Sequence, residues 1–202
     1  MSIEFIGWPK TSRLFREIVV TEKIDGTNSA IHIQSATYED YIGSSKNKFI
    51  EVNDDIYEVA AQSRKRLIYP GDDNFGFAGW VHDNAAELVQ LLGPGIHYGE
   101  WWGKGIQRNY GLDERRFSLF NTDKWCNLHT TVGGHLINTV PHLYEGTFDQ
   151  AEIESALVDL QQDGSYAAPG FMKPEGICVF HSQSRKVYKV TLDGGDFHKW
   201  QS

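Results

Sequence analysis

A β-branched run over Glu17–Lys23 predicts a strand. A second is predicted over 28–34, where Ala30, Ile31 and Ile33 carry the apolar character. Asp25-Gly26 between them is a turn signal, so Lys23 is expected at a strand end, just before a tight turn, where a side chain is held rigidly and exposed. Short apolar runs at 56–61, 96–102, 117–120, 176–180 and 186–192 predict further strands. Val81, Ala85, Leu88 and Leu92 recur at helical spacing over 80–92, and Gly93-Pro94 stops that helix. Thr147-Phe148-Asp149-Gln150 reads as a capping box opening a second helix to about Gln162. Many strands with two helices that do not alternate regularly with them predict an α+β fold with largely antiparallel sheets.

The chain has 202 residues and no internal repeat, low-complexity tract or Pro/Ser-rich linker, so one domain over 1–202 is expected. With 40% hydrophobic and 13% aromatic residues it has ample core material. There is no long apolar run to span a membrane, and Met1-Ser2-Ile3-Glu4-Phe5 does not read as a signal peptide. Cys126 and Cys178 have no metal spacing, and a reducing, cytoplasmic location suits them as small apolar residues. The net charge of -8 argues against a sequence-independent nucleic-acid coat. Lys46-Asn47-Lys48, Arg64-Lys65-Arg66 and Arg115-Arg116 are basic clusters whose ordinary use is as solvated surface. The eight histidines show no paired metal spacing.

The stretch Glu22-Lys23-Ile24-Asp25-Gly26-Thr27-Asn28 makes a poor core segment and a good covalent nucleotide trap. A lysine that attacks the α-phosphate of ATP must lose its proton, so nearby cations, including a metal ion, must depress its pKa. The phosphate needs positive charge, the ribose an acid, the adenine an aromatic platform and a divalent metal a carboxylate, usually through water. Candidates for each follow along the chain. Glu100 in Tyr98-Gly99-Glu100 suits the ribose, Phe120 the adenine, Glu175 the metal water, and Lys189 and Arg64 the phosphates. Each also has a plainer use. Lys23 and Glu175 could be turn residues, Glu100 a salt-bridge partner, Phe120 core, and Arg64 loop decoration. Trp101 and Trp102 are read as packing residues rather than base platforms.

The ordered set Lys23-Ile24-Asp25-Gly26, Gly99-Glu100, an aromatic strand, Glu175-Gly176 and a final lysine strand resembles the lysine-adenylate nucleotidyltransferases, namely DNA ligases, RNA ligases and mRNA capping enzymes. The resemblance runs from about Thr21 to Leu192 and is strongest to the ATP-dependent RNA ligases. Asn28 stands where the other branches typically carry arginine, and Ser63-Arg64 resembles the Ser-Arg element that RNA ligases carry between the first and third motifs. Gly103-Lys104-Gly105-Ile106-Gln107 after Glu100 resembles the extended third motif of the phage nick-sealing type. The resemblance implies a nucleotidyltransferase fold around an ATP cleft, Mg2+ or Mn2+, and a nucleic-acid substrate, RNA, with 5′-phosphate and 3′-hydroxyl ends. It assigns catalysis to Lys23, Glu175 and Lys189, the metal to Glu175, and nucleotide contacts to Glu22, Lys23, Ile24, Asn28, Arg64, Glu100, Phe120 and Lys189. Glu22 would serve the adenine and Asn28 the sugar-phosphate region.

This sequence departs from the pattern in three places. Thr191 replaces a second lysine after Lys189, and Phe180-His181 stands where many relatives carry lysine, leaving His181 or Lys173 as substitutes for the missing charge. Thirteen residues follow Lys189, too few for an OB-fold or a helical C-terminal domain, so a monomeric bare adenylation domain, with a protein partner helping it bind substrate, is expected. The alternatives are a DNA ligase or a GTP-using capping enzyme, or a catalytically weak nucleotide-binding sensor of RNA ends.

Overall fold

The computed structural model describes residues 3–42, 46–73 and 75–193. The elements run β1 (Glu17–Lys23), β2 (Thr27–Ala36), α1 (Tyr38–Ile42), β3 (Lys48–Val52), β4 (Asp55–Ser63), β5 (Leu67–Ile68), α2 (Phe77–Asp83) and α3 (Ala85–Leu92). They continue with β6 (Gly95–Gly103), β7 (Arg115–Leu119), β8 (His129–Val132), β9 (His135–Thr139), β10 (His142–Thr147), α4 (Gln150–Asp163), β11 (Gly176–His181) and β12 (Lys186–Thr191).

The strands form a smaller sheet in the order β10-β1-β11-β12 and a larger one in the order β3-β4-β2-β6-β7-β9-β8, with β5 beside β4. Among the described residues every pairing is antiparallel except β7 with β9. The result is a mixed chain of sheets with few helices, as the strand-rich pattern predicts.

Alternation along each strand assigns its two faces. In the smaller sheet Ile18, Val20, Ile177, Val179 and Val190 pack against Ile153, Ala156, Leu157 and Leu160 of α4. Val19, Thr21 and Lys23 take the opposite face, in register with Phe180, Cys178 and Gly176. In the larger sheet Ile31, Ile33, Trp101, Phe117 and Leu119 pack with Phe77, Trp80, Val81, Leu88 and Val89 from α2 and α3. Trp80 stacks on Trp101 at 5.0 Å between ring centroids. Trp101 and Trp102 are fully buried, which fixes their use as packing. Burying one tryptophan removes about 200 Å² from water, worth about 5 kcal/mol before entropy costs.

Three local expectations change. Asp25-Gly26 does not close a hairpin: β1 lies between β10 and β11, and β2 between β4 and β6, so the turn carries the chain from one sheet to the other. Both neighbours of each strand are already supplied by distant segments, which a local turn signal cannot register. The helix expected over 80–92 is two helices, because the Asn84 side-chain amide donates to the Trp80 carbonyl at 2.7 Å and its backbone turns to ψ 21°. The N-cap of α4 is Asp149, whose carboxylate accepts from the Ala151 amide at 2.8 Å. Thr147 remains the last residue of β10, its hydroxyl donating to Glu17. The β8–β9 hairpin, missed in the sequence, turns on Gly133-Gly134, both in the left-handed region, and a Cβ on Gly133 would strike the Asn84 side chain. Among the described residues no helix is long and apolar enough to cross a membrane.

Candidate active site

Lys23 ends β1 and Thr27 begins β2, so the linking turn places Lys23 where the two sheets meet. The Lys23 ammonium donates to Glu175 Oε2 at 2.6 Å, with both side chains mostly shielded from solvent. Glu175 lies just before β11, whose first residue, Gly176, pairs with Lys23. Thr21, Cys178 and Lys189 are in register across β1, β11 and β12, so Lys189 shares the sheet face of Lys23. Lys189 is exposed there.

From the larger sheet, Glu100 of β6 pairs with Asn28 of β2 and with Ser118 of β7. Glu100 Oε1 accepts from the Gly26 amide at 3.2 Å. Burial pushes the Glu100 carboxyl up to about 8, against the pull of the Lys23 charge and the Gly26 hydrogen bond, while Glu175 and Asp25 add to the rise. Phe120 follows β7; its amide donates to the Tyr98 carbonyl at 3.0 Å, extending the register, and its ring is 40% exposed. Alternation puts Phe120, Tyr98, Glu100 and Asn28 on one face, opposite the Trp101–Phe117 core. Phe120 is therefore an open aromatic surface rather than core. Arg64 is exposed just past β4, whose last residue, Ser63, pairs with Ser29 beside Asn28. Its neighbour Arg66 is bound to Asp72 through two hydrogen bonds of 3.0 Å.

The side chains of two expected nucleotide contacts are buried. Glu22 is 1% exposed, one carboxylate oxygen accepting from the Ser165 hydroxyl at 2.5 Å and the other from the Ala167 amide at 2.9 Å. Burial raises its pKa, and the donors of the 165–167 loop oppose that rise. Strand alternation sends Glu22 to the face opposite Lys23, so its carboxylate does not reach the side where the Lys23 amine stands. Ile24 is buried with Trp102, Tyr110, Val140, Ala167 and Ala168, so its side chain is core. Nor does His181 supply phosphate charge: it is buried, with Nε2 against the Leu14 carbonyl at 2.9 Å and Nδ1 accepting from the Ser184 amide. Lys173 is exposed, and its carbonyl accepts from Arg108.

Sequence reasoning passed over the partners of the turn itself. Arg108 Nε donates to Asp25 Oδ2 at 2.9 Å, and the Tyr110 hydroxyl accepts from the Asp25 amide at 2.7 Å. An arginine and a tyrosine in a Gly-rich loop after the third motif were the available signal. Burial pushes the Cys178 thiol up to about 11, so it stays protonated beside Lys23.

The acids present suit a hydrated divalent cation. Among the described residues no group of three or more His, Cys, Asp or Glu could cage an ion. A Mg2+ or Mn2+ that keeps most of its waters and bridges substrate phosphates needs only one or two carboxylates, and Glu175 is such a group.

With Lys23 facing Glu175 where its two sheets meet, the chain is a mixed α/β protein whose fold is similar to that of solved RNA ligase structures. The chain belongs to the RNA ligase family, whose model, described as RNA ligase, matches residues 16–191. No curated protein sequence matches it at a significant level. A variant of Naegleria gruberi RNA ligase with ATP and Mn is similar at TM-score 0.54 and 16% identity, covering 92% of this chain and 53% of that one. A variant of the same ligase with AMP and Mn aligns at TM-score 0.53 and 16% identity, over 92% and 52% of the two chains. That ligase with PPi aligns at TM-score 0.52 and 17% identity, over 92% and 52%. Identity this low supports likeness of fold. This chain spans about half the length of those proteins.

The acidity of Glu100 has a measurable consequence. Its folded pKa lies above the ordinary carboxyl value of 4.5, so the folded state holds this proton more tightly than the unfolded chain. The associated stability is fully present below about pH 4.5 and is lost as pH rises through about 8. Glu100→Gln is therefore expected to melt close to wild type at pH 4.5 and progressively above it toward pH 8.5. Parallel melting curves across that range would contradict the assignment.

Proposed function

We propose that this chain is an ATP-dependent RNA ligase with a nucleotidyltransferase fold, residues 1–202 acting as one adenylation domain. The observation that carries the reading is the Lys23–Glu175 pair at the junction of the sheets, with Glu100 in its electrostatic reach. The family membership and the likeness to ligase structures with ATP, AMP and PPi support it, since ATP is the reactant of lysine adenylation, PPi its leaving group and AMP the group transferred. Asn28 and Ser63-Arg64 favour the RNA ligase branch, and Gly99-Glu100 followed by Gly103-Lys104-Gly105-Ile106-Gln107 favours its phage nick-sealing type.

Lys23 Nζ, once deprotonated, attacks the α-phosphorus of ATP; the N–P bond forms as the bond to pyrophosphate breaks. The AMP then passes to a 5′-phosphate oxygen, and Lys23 is regenerated. A 3′-hydroxyl attacks that activated phosphorus, forming the phosphodiester and releasing AMP. Each displacement is in line, so placement and charge stabilisation supply most of the catalysis. In this reading Glu100 would bind the ribose, Phe120 would stack on the adenine, and Asn28 would reach the sugar-phosphate region. Arg64 and Lys189 supply positive charge to the phosphates. Glu175 would hold a divalent metal, which would neutralise phosphate charge and favour loss of the Lys23 proton.

The test is capture of α-labelled AMP from ATP and Mn2+, followed by a chase onto nicked and single-stranded RNA and DNA with 5′-phosphate ends. Labelling and joining of nicked RNA is expected. Labelling from GTP alone, or joining of DNA only, would replace this reading with a capping or DNA ligase one. Because His181 and Thr191 add no charge beside Lys189, a weak end sensor is the second reading. It is supported if the protein labels but joins no end.

A further inference from the structure

We propose that Arg108 is the positioning residue of the adenylation site, one guanidinium that sets the Lys23 strand end against the Glu175 segment. The inference rests on the adenylation reading above. All three nitrogens of Arg108 are used. Nε donates to Asp25 Oδ2 at 2.9 Å, two residues after Lys23. One terminal nitrogen donates to the Lys173 carbonyl at 3.0 Å and lies 3.5 Å from that of Pro174, the residue before Glu175. The other donates to Asp193 Oδ2 at 2.6 Å, just beyond β12, the strand that carries Lys189. The side chain is 24% exposed.

Arg108 thus bonds to residues of the segments that carry Lys23, Glu175 and Lys189, through two side-chain carboxylates and two backbone carbonyls. Only a planar group with donors pointing in three directions can do this; an ammonium is a single point charge. The supporting loop is strained in a way that aims the side chain. Gln107, Asn109 and Tyr110, none of them glycine, all have positive φ, at 43°, 60° and 52°. Non-glycine residues occupy that region only when surrounding contacts over-determine it, and such strain gathers at functional sites. Here the contacts are the Asp25 amide on the Tyr110 hydroxyl and the Asn109 side chain accepting from the Gly105 amide at 2.6 Å.

The 2.6 Å Lys23–Glu175 contact is then a product of tertiary clamping, since the two residues lie 152 positions apart. A misplacement of about 1 Å between reacting groups can cost about 100-fold in rate. Arg108→Lys and Arg108→Met are both expected to lower the maximal rate of lysyl-AMP formation by about 100-fold, with half-saturating ATP changed by less than about 3-fold. A role in nucleotide binding would instead move half-saturating ATP, and a merely electrostatic one would be rescued by lysine; either result overturns the proposal. Asp25→Asn combined with Arg108→Met should be no slower than the slower single variant, because the two act as one unit. Multiplying losses also overturn it.

Amide hydrogen exchange keeps the clamp testable without activity. In Arg108→Met the amides of 24–26 and of Lys173, Glu175 and Gly176 should exchange faster while those of 18–21 stay protected. Unchanged exchange at both segments overturns the clamp. A wild-type protein that takes up no AMP, yet shows this coupled exchange, overturns the adenylation reading and leaves the clamp in place.

Discussion

Lys23→Arg is expected to give a folded protein that takes up no AMP, a loss of about 1,000-fold or more in lysyl-AMP formation. Arginine can keep the contact with Glu175 that Lys23 makes at 2.6 Å, so the half-buried carboxylate is not left without a partner. It cannot serve as the nucleophile, because a guanidinium is not deprotonated in proteins. Lys23→Met separates the two roles from the other side. It removes the nucleophile and also strands Glu175, so it should lose labelling and melt below Lys23→Arg by an amount set by about 1–3 kcal/mol. The measurements are gel capture of labelled AMP and thermal melting. Undiminished labelling in Lys23→Arg would move the reactive amine to another lysine, and Lys189 would be the next to test.

The second large effect belongs to Gly26. A Cβ there would sit 2.6 Å from the Trp101 carbonyl oxygen, 2.7 Å from Trp102 Cβ and 2.9 Å from Glu100 Cγ. Two of these atoms belong to the backbone or Cβ of fully buried strand residues, which cannot swing aside. The turn itself must then back away from β6. It carries the Gly26 amide off Glu100 and drags Lys23 at its other end. Overpacking of this kind costs about 1–3 kcal/mol, and the displacement should lower adenylation by about 100-fold. Gly79→Ala is the matched control: it lies inside α2 with nothing within 4 Å of the added methyl. It should leave activity alone and raise stability by up to about 1 kcal/mol. Equal melting and labelling for Gly26→Ala and wild type would show that the turn is not held against β6.

The glycine of Lys-x-Asp-Gly was visible in the sequence as a turn residue, but its reason was not. It is not needed for an unusual backbone angle. It is needed because a distant strand passes against it, and no local pattern announces that approach. The same holds for Arg108. Its bonds reach Asp25, 83 positions back, and Lys173, 65 positions on. Glu22 shows the opposite case. The motif grouped it with Lys23, yet neighbouring residues on a strand face opposite sides, and its carboxylate belongs to Ser165 and Ala167.

By itself the sequence determined the strand that ends at Lys23, the strand-rich pattern with few helices, and the set of charged and aromatic residues worth examining. Period-two alternation, β-branched residues and turn dipeptides are local signals, and they carry that far. Tertiary structure decided the rest. It turned the Asp25-Gly26 hairpin into a passage between two sheets and broke the helix at Asn84. It set Glu175 against Lys23 and Glu100 opposite Asn28, and enclosed Glu22 and Ile24. These outcomes follow from pairings and contacts between segments far apart in the chain, which register and burial fix and which spacing along the sequence does not encode.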